Sequence, residues 1–327
     1  MVAACGMLRW IRIALTLFVS SGLCATVLNA SGRDGTLPPC ALSVNAIAPD
    51  SLVIIWWNVE NAFDTLDDPS TKDDDFTPQG RLQWTSKRYY RKVAQIAKGI
   101  RTAVGPGAPD FIGLCEIESP AVMEDIVRRL PWEWSLWQYY EEGPDTRGID
   151  IVVLYQGERW ELVQANLTFN AIVNGSRAAI TTVFAQRHAP WDTISLSWWH
   201  LPSRRRSNPA FRQGSLHQFC QNTASDFILG DMNSDPRGPL AGWMETFAYH
   251  HVPFCGNWGT FAFGQKWSHL DSVWKVASSS WKGNYRAIRF NSPSDEIRLP
   301  SLKPTFYAGK YYGGASDHLP LRFIVHK

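Results

Sequence analysis

The sequence predicts an α/β fold, a four-layer sandwich of two packed mixed or antiparallel β-sheets with helices on the outer faces. Three observations point there. Apolar runs of strand length recur through the chain, while few stretches repeat at helical spacing. Several of these runs follow one another too closely for a helical crossover, so neighbouring strands must often be antiparallel. Aromatic residues make up 13% of the 327 residues, with 16 tryptophans, which favours a sheet-rich core. Two sheets that bury one face against each other and the other under helices satisfy all three.

Taken in order, the run Leu52-Val53-Ile54-Ile55-Trp56-Trp57 lacks helical period and reads as a buried strand. Asp64 to Gly80 is acidic and irregular and reads as a solvated loop, without the spacing of an EF-hand. Tyr89, Val93, Ile96, Ile100 and Val104 recur at helical spacing, with Thr85 or Ser86 to cap the helix and Gly105-Pro106 to end it. Asp110–Ile117 reads as a strand, and Ser119-Pro120 opens a second helix. Further strands are expected at 149–155, 159–164, 178–185, 193–199, 227–229, 270–276 and 321–325, with a helix over 210–222.

The first 30 residues stand apart. Arg9 and Arg12 precede an uncharged stretch from Ile13 to Gly32, with small residues at Ala25 and Ala30. This pattern predicts a cleaved signal for export to the periplasm or medium over residues 1–30, rather than a membrane anchor. A proline-containing linker follows over 31–50, then one domain over 51–327. Cleavage removes two of the 32 basic residues and none of the 30 acidic ones, so the remainder carries no net charge. Binding nucleic acid by charge alone is thereby excluded. Four of the six cysteines remain, and Cys115, inside an apolar run, reads as a buried thiol. His217-x-x-Cys220 and His250-His251 with Cys255 lack the paired spacing of a zinc site. Phosphate-binding Gly-x-x-x-x-Gly-Lys loops and Gly-x-Ser-x-Gly elbows are missing from the sequence.

Polar residues gather where the apolar runs stop: Asn58-Val59-Glu60-Asn61, Glu116-Ile117-Glu118, Arg147-Gly148-Ile149-Asp150, Ser176-Arg177, His200-Leu201-Pro202-Ser203-Arg204-Arg205, Gly230-Asp231-Met232-Asn233, Leu270-Asp271 and Ser316-Asp317-His318. Any one of these sets suits an ordinary strand-end turn. As an ordered series over roughly residues 51–327, they resemble the endonuclease/exonuclease/phosphatase superfamily. The likeness is to its secreted, deoxyribonuclease-like bacterial branch, which carries an Asn-Val-Glu-Asn signature. Met232, Ser234 and Arg206-Ser207-Asn208 depart from the usual pattern, at positions that bear on the substrate surface more than on the chemistry.

The residue types suit phosphate ester hydrolysis, which must aim a water in line with the leaving oxygen and neutralise charge on the phosphoryl group. Oxygen ligands at Glu116, Asn58 and Asp317 suit Mg²⁺ or Mn²⁺. The resemblance implies that Asp271 orients His318, and that Asp231 and Asn233 position water and a phosphoryl oxygen. His318 and Asp231 are rival general bases. His200 and Arg177 are expected to donate to non-bridging oxygens, and Arg147, Arg204 and Arg205 to bind phosphate. The expected protein is thus an exported Mg²⁺- or Mn²⁺-dependent phosphodiesterase, monomeric, with nucleic acid preferred over lipid as substrate. Arg204-Arg205-Arg206 beside Trp198 and Trp199 fits a phosphate-rich polymer and, equally, a solvated basic loop beside core tryptophans. The alternatives are a phosphomonoesterase or sphingomyelinase-like enzyme on the same scaffold, or a binding protein without catalysis.

Overall fold

Alternation along the first strand, Leu52–Ala62 (β1), sets the layers. Val53, Ile55 and Trp57 enter one core and Leu52, Ile54 and Trp56 enter another, as the two-residue period of a strand requires. The computed structural model describes residues 50–132, 136–169, 177–203, 209–256, 259–263, 266–289 and 304–327. All of them belong to one compact unit, Pro39–Lys327. The expected export signal over 1–30 and all but the last residue of the 31–50 linker lie outside the described residues.

The first sheet contains β1, Phe111–Ile117 (β2), Leu136–Tyr140 (β3), Asp150–Gln156 (β4), Lys282–Ala287 (β13) and Leu321–His326 (β16), in the order β13-β16-β1-β2-β4-β3. Only β1 and β2 run parallel in it. The second sheet also has six strands, ordered Trp160–Phe169 (β5), Ala178–Gln186 (β6), Ala189–His200 (β7), Phe227–Asp231 (β8), Asp271–Val276 (β12) and Tyr249–His251 (β9). Here β7 and β8 are the parallel pair.

Ser86–Val104 (α1) and Pro120–Val127 (α2) cover the outer face of the first sheet through Val93, Ile96, Ile100, Met123 and Ile126. Ser119 caps α2, its hydroxyl accepting from the Val122 N–H at 3.3 Å. Pro209–Gln221 (α3) and Pro239–Thr246 (α4) cover the second sheet through Leu216, Phe219, Leu240 and Met244. Two short hairpins, Phe261–Phe263 (β10) with Lys266–Ser268 (β11) and Phe306–Tyr307 (β14) with Lys310–Tyr311 (β15), complete the described elements.

Between the sheets, Trp56 stacks on Trp198 with centroids 6.4 Å apart. Gly113 permits this approach, because a Cβ there would lie 2.2 Å from Trp198 Cε3. Trp198 and Trp199 are fully buried. Of the two readings of these tryptophans, the structure gives core residues: alternation along β7 sends Trp198 to the inner core and Trp199 under the helices. The acidic segment is a mostly exposed loop, as expected, apart from Asp73, which is buried with its carboxylate accepting the Asp68 N–H at 3.0 Å.

Candidate active site

Strand registers collect the site. On the second sheet Asp231, the last residue of β8, lies beside His200 on β7 and opposite Asp271 on β12. One row across three strands thus supplies an imidazole and two carboxylates. On the first sheet Asn58 pairs with Cys115, and Glu116 follows at a bulge where the β1–β2 and β2–β4 registers slip. Glu60, Asn61, Glu116 and Asn233 have φ of 55°, 51°, 67° and 47°. Such left-handed residues cost about 1–3 kcal/mol each and cluster where a site needs unusual geometry.

His318 Nδ1 lies 2.6 Å from Asp271 Oδ2. Asp271 is itself held, with Oδ1 accepting from Trp56 Nε1 at 3.1 Å and its N–H donating to Thr260 Oγ1 at 2.9 Å. The His318 loop is pinned by Trp57 Nε1 on the His318 carbonyl at 2.9 Å, by Ser316 Oγ donating to the Asn58 carbonyl at 2.7 Å, and by the His318 N–H on Ser316 Oγ at 2.9 Å. Burial alone would pull the imidazole down. The carboxylates of Asp271, Asp231 and Asp317 outweigh it and hold His318 well above the ordinary histidine range. Its Nε2 faces Asp231 Oδ2 at 3.9 Å. Burial pushes the Asp231 carboxyl up to about 6, against the pull of His318. Asn58 Nδ2 at 3.1 Å and the Asn233 N–H at 2.9 Å fix its two oxygens.

The opposite wall is cationic. Glu116 Oε2 accepts the Asn61 N–H at 2.8 Å, while Oε1 is faced by Asn58 Nδ2 and His200 Nε2 at 3.5 Å, Arg177 at 3.7 Å and Arg147 at 3.9 Å. Burial would raise Glu116, but Arg147 and Arg177 hold it below the usual carboxylate range. Arg147 grips Asp145 through Nε and NH2, at 3.2 and 2.7 Å, and reaches Asn61 Oδ1 at 3.2 Å. Arg177 NH1 donates to the Leu201 carbonyl at 3.1 Å and to His200 Nε2.

One sequence expectation changes here. His200 does not present a donor from Nε2, because that nitrogen accepts from Arg177. Burial and the charges of Arg177 and Arg147 keep it well below the ordinary range, hence neutral. Asn58 keeps a free lone pair on its amide oxygen, as an expected ligand requires. Its Oδ1 accepts the Glu60 N–H at 2.9 Å, so Nδ2 faces the carboxylates. Asn233 lies beside Asp231 with its Nδ2 turned onto the Leu201 carbonyl at 3.0 Å. Arg204 and Arg205 lie outside the described residues.

The donor set fits a hard divalent cation at Glu116 and Asp317. Glu116 Oε1 meets its facing donors, Asn58 Nδ2 and the two guanidiniums, only at 3.5 Å or beyond, and burial together with the charge of Glu116 pushes the Asp317 carboxyl up. A cation between these oxygens relieves that repulsion. Asp231, Asp271 and His318 also bring potential ligand atoms within 4.8 Å of one another. That trio is committed elsewhere, because His318 Nδ1 and Asp271 Oδ2 bind each other.

Several supports carried no sequence signal of their own. Lys92, buried under the site, donates to the carbonyls of Glu60 and Ala315, each at 2.6 Å, and to Thr305 Oγ1 at 2.5 Å. Arg212 from α3 holds the Asp231–Ser234 turn through the carbonyls of Met232 and Asn233 and through Ser234 Oγ, at 2.7–3.2 Å. Trp56 and Trp57 looked like core residues alone. A buried indole N–H needs an acceptor, which was the signal available for them.

The fold is shared with solved structures of low sequence identity. The human Nocturnin catalytic domain is 14% identical, with a TM-score of 0.55, over 85% of this chain and 93% of that one. A mannosyl-6-phosphatase from Bacteroides thetaiotaomicron is 13% identical, with a TM-score of 0.54, over 84% and 100%. D. rerio TDP2, solved with a single-strand DNA product, is 14% identical, with a TM-score of 0.52, over 85% and 99%. No curated protein sequence matches the chain. A family model described as Endonuclease/Exonuclease/phosphatase family matches residues 53–239. That match takes in more than half the chain, from the strand carrying Asn58 through Asp231 and Asn233, and the chain belongs to this family of hydrolases.

Proposed function

We propose that the protein is an exported, divalent-metal-dependent phosphodiesterase acting on nucleic acid. The observation that carries the reading is the 3.9 Å gap between Asp231 Oδ2 and His318 Nε2, faced by Glu116 and two guanidiniums. A carboxylate near 6 is ionised at neutral pH and is a stronger base than an ordinary one. Asp231 takes the proton of the attacking water, with Asn58 and the Asn233 N–H fixing its oxygens. His318, charged and anchored by Asp271, donates from Nε2 to a phosphoryl oxygen. Arg177, steadied by His200, neutralises a second oxygen. Glu116 and Asp317 would hold Mg²⁺ or Mn²⁺, which when bound polarises the phosphoryl group and stabilises the leaving oxyanion.

Nucleic acid is favoured as substrate by the likeness to TDP2, whose structure holds a single-strand DNA product. A disulfide at Cys255 favours export, since such bonds persist in oxidising compartments. A second reading, a phosphomonoesterase acting on a polyol phosphate, draws on a cavity of about 650 Å³ beside Arg147. Its carboxylates, Glu118, Glu142, Asp145 and Asp150 among them, suit sugar hydroxyls. No helix among the described residues is long and apolar enough to cross a membrane.

The test is a panel of plasmid DNA, single-stranded DNA, RNA, sphingomyelin and sugar phosphates, each with Mg²⁺ and with EDTA. Metal-dependent cleavage of nucleic acid supports the proposal, while turnover of sugar phosphates alone selects the second reading. For export, the N-terminus of protein recovered from the envelope or medium is expected between about residues 25 and 33. An intact Met1 overturns it.

A further inference from the structure

Beyond His318 the wall of the site becomes aromatic. Phe261 packs on the His318 ring with centroids 4.8 Å apart, and its strand is tied to the catalytic loop by the Ala262 N–H on the Asp317 carbonyl at 3.2 Å. Phe263 lies two residues further along β10, on the same face as Phe261. It meets Tyr307 of the second hairpin at 5.4 Å, and Tyr307 meets Tyr312 at 6.4 Å. Rings thus lead outward from the imidazole, and the outer three are open to solvent: Phe263 is 42% exposed, Tyr307 40% and Tyr312 47%. Large exposed aromatics in a contiguous row are unusual unless something packs on them.

The two hairpins that carry the row are basic. Lys310 Nζ stands 5.8 Å from the Tyr312 ring centroid, and Lys266 is exposed on β11. Residues 259–268 and 304–312 contain no Asp or Glu. On the Arg147 side, by contrast, the cavity is lined by Asp67, Asp68, Glu118, Glu142, Asp145 and Asp150. A polyanion is repelled along that cavity and meets no acidic residue of the two hairpins themselves.

We propose that Phe263, Tyr307 and Tyr312, with Lys310 and Lys266, form a binding ledge for single-stranded nucleic acid flanking the scissile phosphate. Bases stack on the rings, and the lysines meet the backbone. This rests on the nucleic-acid reading above and names its substrate form. Stacking is tolerant of sequence because every base presents a π-face, and a duplex, with its bases already stacked, cannot use the ledge.

The test compares kcat/KM for a single-stranded deoxyoligonucleotide with kcat/KM for bis(p-nitrophenyl) phosphate, which has no bases. The ratio of the two does not depend on the fraction of enzyme that folds. In Phe263→Ala, Tyr307→Ala and Tyr312→Ala the ratio is expected to fall by about 5- to 100-fold, chiefly through KM for the oligonucleotide. Tyr307→Phe, which keeps the ring, is expected to recover most of it. Val163→Ser, at an exposed position on β5, serves as the control and changes neither substrate. Ratios within twofold of wild type in all three alanine variants overturn the ledge while leaving the nuclease reading intact. Turnover of the chromogenic diester with no oligonucleotide cleaved at all overturns the nuclease reading itself. Loss of binding to phosphatidylcholine–sphingomyelin vesicles in the alanine variants, with oligonucleotide kinetics unchanged, makes the row a membrane anchor and overturns the proposal.

Discussion

His318 Nε2 and Asp231 Oδ2 face each other across 3.9 Å, too far for a hydrogen bond and a natural seat for a bridging water. The two groups arrive from different sheets of the sandwich ends, one on the loop before β16 and the other at the end of β8. Their surroundings push them to different tasks. Burial raises the Asp231 carboxyl to about 6. Despite burial, three carboxylates keep His318 charged well above its ordinary range.

The sign of the pH dependence follows. A base works only when deprotonated, so kcat at saturating Mg²⁺ is expected to fall on the acid side with a limb near 6, set by Asp231. A donor works only when protonated, so His318 sets the alkaline limb, above neutrality. Asp231→Asn is expected to lower kcat by roughly 10²–10⁴-fold and to abolish the acid limb. An acid limb that survives in Asp231→Asn and vanishes in His318→Ala would make His318 the base instead.

A great deal of this was legible in the sequence, for a physical reason. Strands buried on both faces, such as 52–57 and 110–117, read as unbroken apolar runs, and the polar residues that end them are the site. The strand over Lys282–Ala287 escaped notice because it is polar and half-exposed, with Tyr285 its one fully buried residue. The helix at Pro239–Thr246 is short and buries only Leu240 and Met244, too few to set a period. Residue types located Asn58 and His200, but not which atom of each faces the site. That depends on the Glu60 N–H and on the Arg177 guanidinium, partners that spacing does not encode.

Metal dependence is expected to follow Glu116. EDTA should abolish hydrolysis, and Mg²⁺ or Mn²⁺ should restore it. Glu116→Gln removes the charge while keeping the shape, so it is expected to raise the Mg²⁺ concentration for half-maximal rate by tenfold or more, on the order of the loss from a weakened ligand shell. Titrating the rate against Mg²⁺ checks this. Full activity in EDTA counts against a cation at this position.

Gly113 gives a prediction about the scaffold. Its modest side-chain change is also a steric one, because the added Cβ of Gly113→Ala would meet Trp198 at 2.2 Å and Trp56 at 3.0 Å. Both indoles are fully buried and cannot swing aside. Overpacking of this kind costs about 1–3 kcal/mol. Chemical denaturation should show a lower midpoint, and because Trp56 also holds Asp271, kcat should drop with it. Unchanged stability would mean that the sheets can separate locally to admit the methyl group.

The last prediction concerns His318 and Asp271 as one unit. Asp271 Oδ2 accepts from His318 Nδ1 at 2.6 Å, and Asp271 has no other charged partner within bonding distance among the described residues. Its work is therefore to orient the ring and to balance the imidazolium. His318→Ala removes the donor, and Asp271→Asn leaves a ring that is no longer held charged. Each is expected to lower kcat by roughly 10²–10⁴-fold. Because either change disables the same function, the double variant should be little worse than the more damaging single one. Additive losses would show that Asp271 contributes by another route, the contact with Trp56 Nε1 being the one at hand. In that case Trp56→Phe, which deletes the indole donor and keeps a ring in the core, should reproduce the extra loss in an otherwise intact enzyme.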